Sequence, residues 1–88
     1  MNVQFKDSFV KDLRKVKDKA ALKRVKEVIE QAEQARSLQD VTNLKKLKGG
    51  RNYYRIRVGE FRIGLIIEGD EITLVRCLSR KEIYRYFP

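Results

Sequence analysis

The chain has 88 residues, 42% of them hydrophobic, which is enough for one compact domain and leaves no room for a second. It carries 21 Lys and Arg against 12 Asp and Glu, and the resulting net charge of +9 indicates a polyanionic ligand or an acidic partner. The absence of histidine excludes histidine-based catalysis, and the lone cysteine, Cys77, excludes an intrachain disulfide and cannot form a zinc site by itself.

The N-terminal half is predicted to contain one strand and two helices. Residues 3–5 form a short strand, after which Asp7 and Ser8 offer N-cap oxygens to a first helix. The apolar residues of this helix recur at helical spacing at Phe9, Leu13 and Val16. Asp18 is the predicted cap of a second helix. Its apolar stripe consists of Leu22, Val25, Ile29 and Ala32.

The C-terminal half changes to the period of strands. Residues 37–50 are predicted to be a connector that ends in the basic tip Lys48, Gly49, Gly50 and Arg51. Three segments rich in β-branched and aromatic residues follow at 53–58, 61–68 and 72–78, separated by the tight-turn pairs Gly59-Glu60 and Gly69-Asp70. The prediction for residues 1–88 is therefore a single α+β domain. It has a three- to four-stranded antiparallel sheet, two N-terminal helices packed on one face, and a short C-terminal segment.

The chain shows no signal for export or membrane insertion. Its longest apolar stretch is residues 65–67, far shorter than a signal-peptide core or a membrane span. Cys77 as the only cysteine is compatible with a reducing compartment. We therefore expect a cytoplasmic protein.

The turn at Gly59-Glu60 predicts the register of the first hairpin. It sets Arg57 opposite Arg62 and Arg55 opposite Gly64, all on one face. The other face, which the helices are expected to cover, carries Tyr54, Ile56, Val58, Phe61, Ile63 and Leu65. Like charges opposite each other destabilise a sheet unless an anion lies between them, and a glycine beside Arg55 would let a ligand approach the backbone. An ordinary solvated sheet face has the same alternation.

The turn at Gly69-Asp70 predicts the register of the third strand less securely. A simple two-residue turn places Cys77 opposite Arg62 and directs Arg76 toward the helices. Because an arginine is unfavourable on the core side, a β-bulge that changes the register is the alternative.

Two sequence patterns in the C-terminal half are those of a known toxin superfamily. The strings YYRIRVGEFRIGLII and EITLVRCLSRKEIYRYF, after an early strand and two helices, resemble the RelE/ParE toxins, and in particular their RelE-like mRNA interferase branch. The most specific parts are Phe61-Arg62-Ile63 and Arg80-Lys81-Glu82-Ile83-Tyr84. The resemblance covers nearly the whole chain. It implies a toxin of a type II toxin–antitoxin system that acts as a ribosome-dependent mRNA endonuclease, in which a ribose 2′-hydroxyl attacks the adjacent phosphate.

The resemblance also implies the site residues. Arg62 and Arg80 would stabilise the charge that grows on the phosphoryl oxygens, a task that suits fixed guanidinium groups. Tyr84 would orient or deprotonate the 2′-hydroxyl. The predicted RNA-binding residues are Arg55 and Arg57, which the resemblance implies. The basic tip and the C-terminal segment add Lys48, Arg51, Lys81 and Arg85. No metal or cofactor is implied.

The chain departs from the pattern of the superfamily at three positions. The best-known ribonuclease members have lysine where this chain has Arg55 and Arg57, and because arginine does not deprotonate at neutral pH, neither residue can be a general base. Many relatives have histidine where this chain has Ser79. The identity of the general base therefore stays open.

Two other functions fit the same sequence. A non-catalytic ParE-type toxin, which inhibits DNA gyrase, shares the core pattern, and a basic nucleic-acid-binding module without activity accounts for the charge. The resemblance further implies an acidic cognate antitoxin, the ribosome and mRNA as partners, and a toxin–antitoxin hetero-oligomer. The charge of +9 independently suits an acidic partner, since complementary charge speeds association.

Overall fold

The computed structural model describes residues 1–50 and 52–88, so the predicted RNA-binding residue Arg51 lies outside the described residues. In chain order the elements are β1 (Asn2–Phe5), α1 (Asp7–Lys15), α2 (Lys19–Gln34), a 3-10 turn (Leu38–Asp40), β2 (Leu44–Lys46), β3 (Tyr53–Val58), β4 (Phe61–Glu68), β5 (Glu71–Ser79) and α3 (Ile83–Tyr86). Among the residues described, no helix is both long and apolar enough to cross a membrane.

The two long helices begin in different ways. Asp18 caps α2 as predicted, because its Oδ1 accepts hydrogen bonds from the backbone N–H groups of Ala20 and Ala21 at 2.9 and 3.2 Å. The predicted capping of α1 is wrong. Asp7 lies in the first turn of α1, where the helix dipole favours a carboxylate, and no side chain caps this helix. Ser8 instead donates from Oγ to the backbone oxygen of Val75 at 2.6 Å.

The sheet has five strands in the order β1-β5-β4-β3-β2, and it is mixed, not purely antiparallel as predicted. β1 runs parallel to β5, with Val3 opposite Ile72, whereas the other neighbours are antiparallel. The additional strand β2 lies within the predicted connector and pairs with β3, with Leu44 opposite Ile56. The α+β class is therefore confirmed, and the strand count and the all-antiparallel arrangement are corrected.

The core lies between the helices and one face of the sheet. The predicted apolar face of the first hairpin packs against the core. Ile56 is 1% and Ile63 0% exposed, and Tyr54 and Phe61 are partly buried. Phe9 of α1 and Val25 of α2 belong to the same buried cluster. The predicted register of β3 with β4 is confirmed, with Arg57 opposite Arg62 and Arg55 opposite Gly64.

A β-bulge at Val75 changes the register between β4 and β5. Gly64 pairs with Arg76 while Leu65 pairs with Leu74, which leaves Val75 as the extra residue. One extra residue reverses the alternation of side chains beyond it. Cys77 is therefore buried opposite Ile63, not opposite Arg62 as the simple turn predicted.

The same bulge corrects the predicted direction of Arg76. As the cross-strand partner of Gly64, Arg76 lies on the face opposite the core and not on the helix side. Its Nε donates to Asp12 Oδ2 at 2.8 Å, and this hydrogen bond raises the pKa of Arg76 above its ordinary value. Asp12, with 5% exposure, is thereby satisfied although it is buried.

β1 pairs only with residues 71–74 of β5, and α1 covers the part of this strand edge that follows. The backbone N–H of Lys6 donates to the oxygen of Leu74 at 2.9 Å, and Ser8 bonds the next residue, Val75. Asp12 Oδ2 then accepts from the backbone N–H of Cys77 at 2.9 Å. Backbone groups at this edge are thus paired with side chains of a helix.

Candidate nucleic-acid interface

The face of the sheet opposite the core carries the arginines predicted from the first hairpin. Arg55 lies opposite Gly64, and Arg57 lies directly opposite Arg62, so the three guanidinium groups project from one face. We call this surface the arginine face. Arg57 is exposed and the other two arginines are partly buried.

Neighbouring charged groups act on Arg62 of the arginine face. Burial lowers its pKa, and the positive charges of Arg55, Arg57 and Arg80 lower it further, whereas Tyr84 raises it. These four residues therefore lie within electrostatic range of Arg62. The guanidinium remains protonated at neutral pH, and an anion bound among these cations would relieve their mutual repulsion.

Backbone carbonyls hold two of these arginines in place. Arg62 Nη1 donates to the oxygens of Gly59 and Phe61, each at 2.8 Å. Arg55 Nη1 donates at 2.9 Å to the oxygen of Asn43, whose φ of 61° lies in the left-handed region that asparagine tolerates. Arg55 Nε is buried without a hydrogen-bond partner among the described residues. The two guanidinium groups are thus positioned by the fold before any ligand binds.

Arg80 joins this group from the turn after β5. Its backbone N–H donates to the oxygen of Glu60 at 2.9 Å, and its Nε lies 3.3 Å from Glu60 Oε2. Both side chains are largely exposed, so the ion pair is weak and open to competition from a more strongly bound anion.

The C-terminal segment folds back over the arginine face. Ile83 is fully buried, and Phe87, at 4% exposure, lies over Gly64 and meets the ring of Tyr53 edge to face at 5.6 Å. A Cβ built at Gly64 would lie 2.6 Å from two ring atoms of Phe87. Gly64 therefore makes room for this chain's own phenylalanine, which corrects the expectation that a ligand approaches the backbone there.

Tyr84 lies on the outer side of the same segment. Its side chain is 57% exposed, so it is not a packing residue. Together with Phe87 and Pro88 it forms one wall of a cleft of about 380 Å³, whose other wall consists of Lys45, Lys46, Leu47 and Lys48. The predicted RNA-binding residue Lys48 and the predicted catalytic residue Tyr84 thus line one cleft.

Similarity to known proteins identifies the family of this chain. Residues 3–84 match the family model described as ParE toxin of type II toxin-antitoxin system, parDE. Toxin RelE3 of Methanocaldococcus jannaschii is 49% identical over 89 residues, with 100% of both chains covered. This chain belongs to the RelE/ParE toxin family.

Solved structures agree with this membership. This RelE/ParE toxin is similar to a chain in the RelB-RelE antitoxin-toxin complex from Methanococcus jannaschii, with a TM-score of 0.82, 47% identity, and 97% and 99% of the two chains covered. The archaeal RelE-RelB complex from Pyrococcus horikoshii matches with a TM-score of 0.72 at 23% identity, covering 90% and 93%, which shows the shared fold alone. The superfamily resemblance found in the sequence is confirmed.

Not every predicted residue of the toxin joins the cluster around Arg62. Lys81, in the turn after β5, and Arg85, on α3, are exposed, and neither is among the groups that shift the pKa of Arg62. Ser79, at the position where many relatives have histidine, donates from Oγ to Glu82 Oε1 at 3.2 Å. In the toxin this position therefore bonds the start of the terminal turn.

Besides Arg76, a second cationic residue of the toxin's arginine face was missed in the sequence. β2 pairs with β3 so that Lys45 lies directly opposite Arg55, and cross-strand partners share a face. The signal was the alternation of apolar Leu44 with polar Lys45, but two residues are too few to identify a strand by its period.

Proposed function

We propose that this toxin is a ribosome-dependent endoribonuclease, in which a ribose 2′-hydroxyl of mRNA attacks the adjacent phosphate. The observation that carries the proposal is that Arg55, Arg57 and Arg62 project from one face of the sheet, with Arg80 and Tyr84 near enough to influence the pKa of Arg62. Four cations and one phenol around a solvent-accessible point suit a phosphodiester, which brings both a negative charge and a hydroxyl.

In this mechanism the arginines stabilise the transition state. The O2′–P bond forms as O2′ loses its proton, and the P–O5′ bond breaks as the departing O5′ takes up a proton from solvent. Negative charge grows on the phosphoryl oxygens during this exchange. Arg62 and Arg80 would donate hydrogen bonds to these oxygens, and because carbonyls of the β3–β4 turn already hold Arg62, little reorganisation is needed. Removal of a single preorganised donor of this kind typically costs on the order of 100- to 1,000-fold in rate.

Tyr84 would act on the other reacting group. Its exposed phenol stands beside the arginine cluster, where it can orient or deprotonate the 2′-hydroxyl. The arginines cannot take this role because they stay protonated. Tyr84 is therefore the proposed proton-handling residue of the toxin.

The proposed partners are an acidic antitoxin, the ribosome and mRNA. The similar RelE chains of Methanococcus jannaschii and Pyrococcus horikoshii were each solved in complex with RelB. A net charge of +9 supports binding of an acidic antitoxin by this chain, and such a partner would neutralise the arginine face.

The experiment that tests the proposal is cleavage of ribosome-bound mRNA by the purified toxin. We expect cuts in the message with wild-type protein and a loss of at least about 100-fold in rate with Arg62→Ala. A parallel assay measures DNA supercoiling by gyrase, since the matching family model is named for ParE toxins. Gyrase inhibition without mRNA cleavage would overturn the nuclease proposal in favour of the ParE-type function.

A further inference from the structure

We propose that Lys45 is a further RNA-binding residue of the toxin, and that the cleft between β2 and the C-terminal segment holds the phosphate next to the one that is cut. This inference rests on the proposed nuclease function and names a part of its substrate site. It comes from the strand β2, which the sequence did not predict.

The sheet register places Lys45 beside Arg55 of the arginine face. Lys45 pairs with Arg55, and Arg55 in turn pairs with Gly64, so these three residues form one row across the arginine face. Directly paired residues have Cβ atoms about 4.5–5.5 Å apart. Phe87 covers Gly64 and Arg55 is partly buried, so Lys45 is the exposed member of these three.

Lys45 lines the cleft between β2 and the C-terminal segment. Its walls are β2 with the residues just after it and the C-terminal segment, and its volume of about 380 Å³ falls within the range of small-ligand pockets, roughly 300–1,000 Å³. Tyr84 lies in one wall and Lys45 in the other. A nucleotide next to the scissile phosphate would therefore enter the cleft as the strand leaves Tyr84.

The charge of the cleft favours a phosphate. Three lysines and no Asp or Glu side chain line it within the described part of the chain. Lys45 is exposed and forms no ion pair with a described residue, whereas Arg80 is paired with Glu60. A flexible ammonium group binds a phosphate as a point charge without strict geometry, which suits a contact that holds the strand and does not take part in bond breaking.

The test compares Lys45→Gln with Lys26→Gln, which removes the same charge from the exposed side of α2. Binding is measured to ribosomes programmed with mRNA that carries an uncleavable 2′-O-methyl sugar, over a range of salt concentrations. We expect Lys45→Gln to weaken binding roughly tenfold at low salt and to reduce the salt slope by about 0.7–1, as for one lost phosphate contact. Lys26→Gln should change neither, and Lys45→Arg should restore most of the affinity.

The outcomes separate this inference from the proposed function. Cleavage by the wild type with equal binding of Lys45→Gln and Lys26→Gln would overturn the role of Lys45 alone. No cleavage and no RNA binding by the wild type would overturn both. Because Lys45 is exposed, its variant should keep the wild-type melting temperature, and a loss on ribosomes without mRNA would identify ribosomal RNA as the source of the phosphate.

Discussion

Phe87 lies against Gly64, so the last residues of the chain are packed on the face of the sheet that carries the arginines. Gly64→Ala would place a methyl group 2.6 Å from the ring of Phe87, and we expect a loss of about 1–3 kcal/mol in the free energy of unfolding. Urea denaturation measures this loss. In a Phe87→Ala background the same substitution should cost far less, and an equal cost in both backgrounds would show that the two residues are not coupled.

A second prediction concerns the buried face of the hairpin. Ile63 is 0% exposed, so Ile63→Ala should lower the free energy of unfolding by about 2–5 kcal/mol through lost burial and a cavity. Ile66, partly exposed on the other face of the same strand, provides the matched control. Chemical denaturation of both variants should show a clearly smaller loss for Ile66→Ala, and equal losses would contradict the assignment of faces.

A third prediction follows from the thiol of Cys77. Burial, with a smaller contribution from the charge of Asp12, raises its pKa from 9.0 to about 11. The folded state therefore keeps the thiol neutral while the unfolded state ionises, and stability is lost as the pH rises from about 9 to about 11, by up to roughly 2–3 kcal/mol.

Cys77→Ala isolates this effect from other groups that titrate in the same range. The stability difference between wild type and variant, measured by urea unfolding near pH 8 and again near pH 10, should shrink at the higher pH. A difference that does not change with pH would mean that the thiol ionises equally in both states.

A fourth prediction separates chemistry from binding at Tyr84. Tyr84→Phe removes one oxygen and no charge, so affinity for ribosomes should be largely kept while the rate of cleavage falls. Single-turnover cleavage with toxin in excess measures the rate independently of weakened binding. Full activity of the variant would remove Tyr84 from the mechanism and leave catalysis to the arginines.

A fifth prediction concerns salt. Binding to ribosomes should weaken steeply as salt rises, because contacts between cations of the arginine face and phosphates release counterions. Titrations at several salt concentrations give the slope. A flat dependence would point to a neutral protein target and favour a gyrase-type toxin.

Local patterns in the sequence were sufficient for the parts of the fold that depend on neighbouring residues. The turn at Gly59-Glu60 determines the register of β3 and β4, and Asp18 caps α2, because both effects act over a few residues. The pairing of β1 with β5 joins residues at opposite ends of the chain, and no local pattern identifies that partner.

The candidate site was predictable to a similar extent. The hairpin register and the resemblance together indicated Arg55, Arg57, Arg62, Arg80 and Tyr84, which the fold brings together. The position of Phe87 over Gly64 was not predictable, because an apolar residue near the end of a chain packs wherever space and a neighbouring ring allow. Lys45 was missed for a different reason, since its strand has three residues and no measurable period.

The hydrogen bonds between β5 and the side chains of Ser8 and Asp12 cover a strand edge that could otherwise pair with a second chain during synthesis. An uncovered strand edge is a template to which a second chain can add, and such addition begins aggregation. Translation proceeds from the N-terminus, so α1 has been made before β5 leaves the ribosome. The segment that covers Val75 and Cys77 is thus already available when their edge first forms. A circular permutant that placed α1 after β5 would reverse this order, and it should form inclusion bodies more readily than the natural chain.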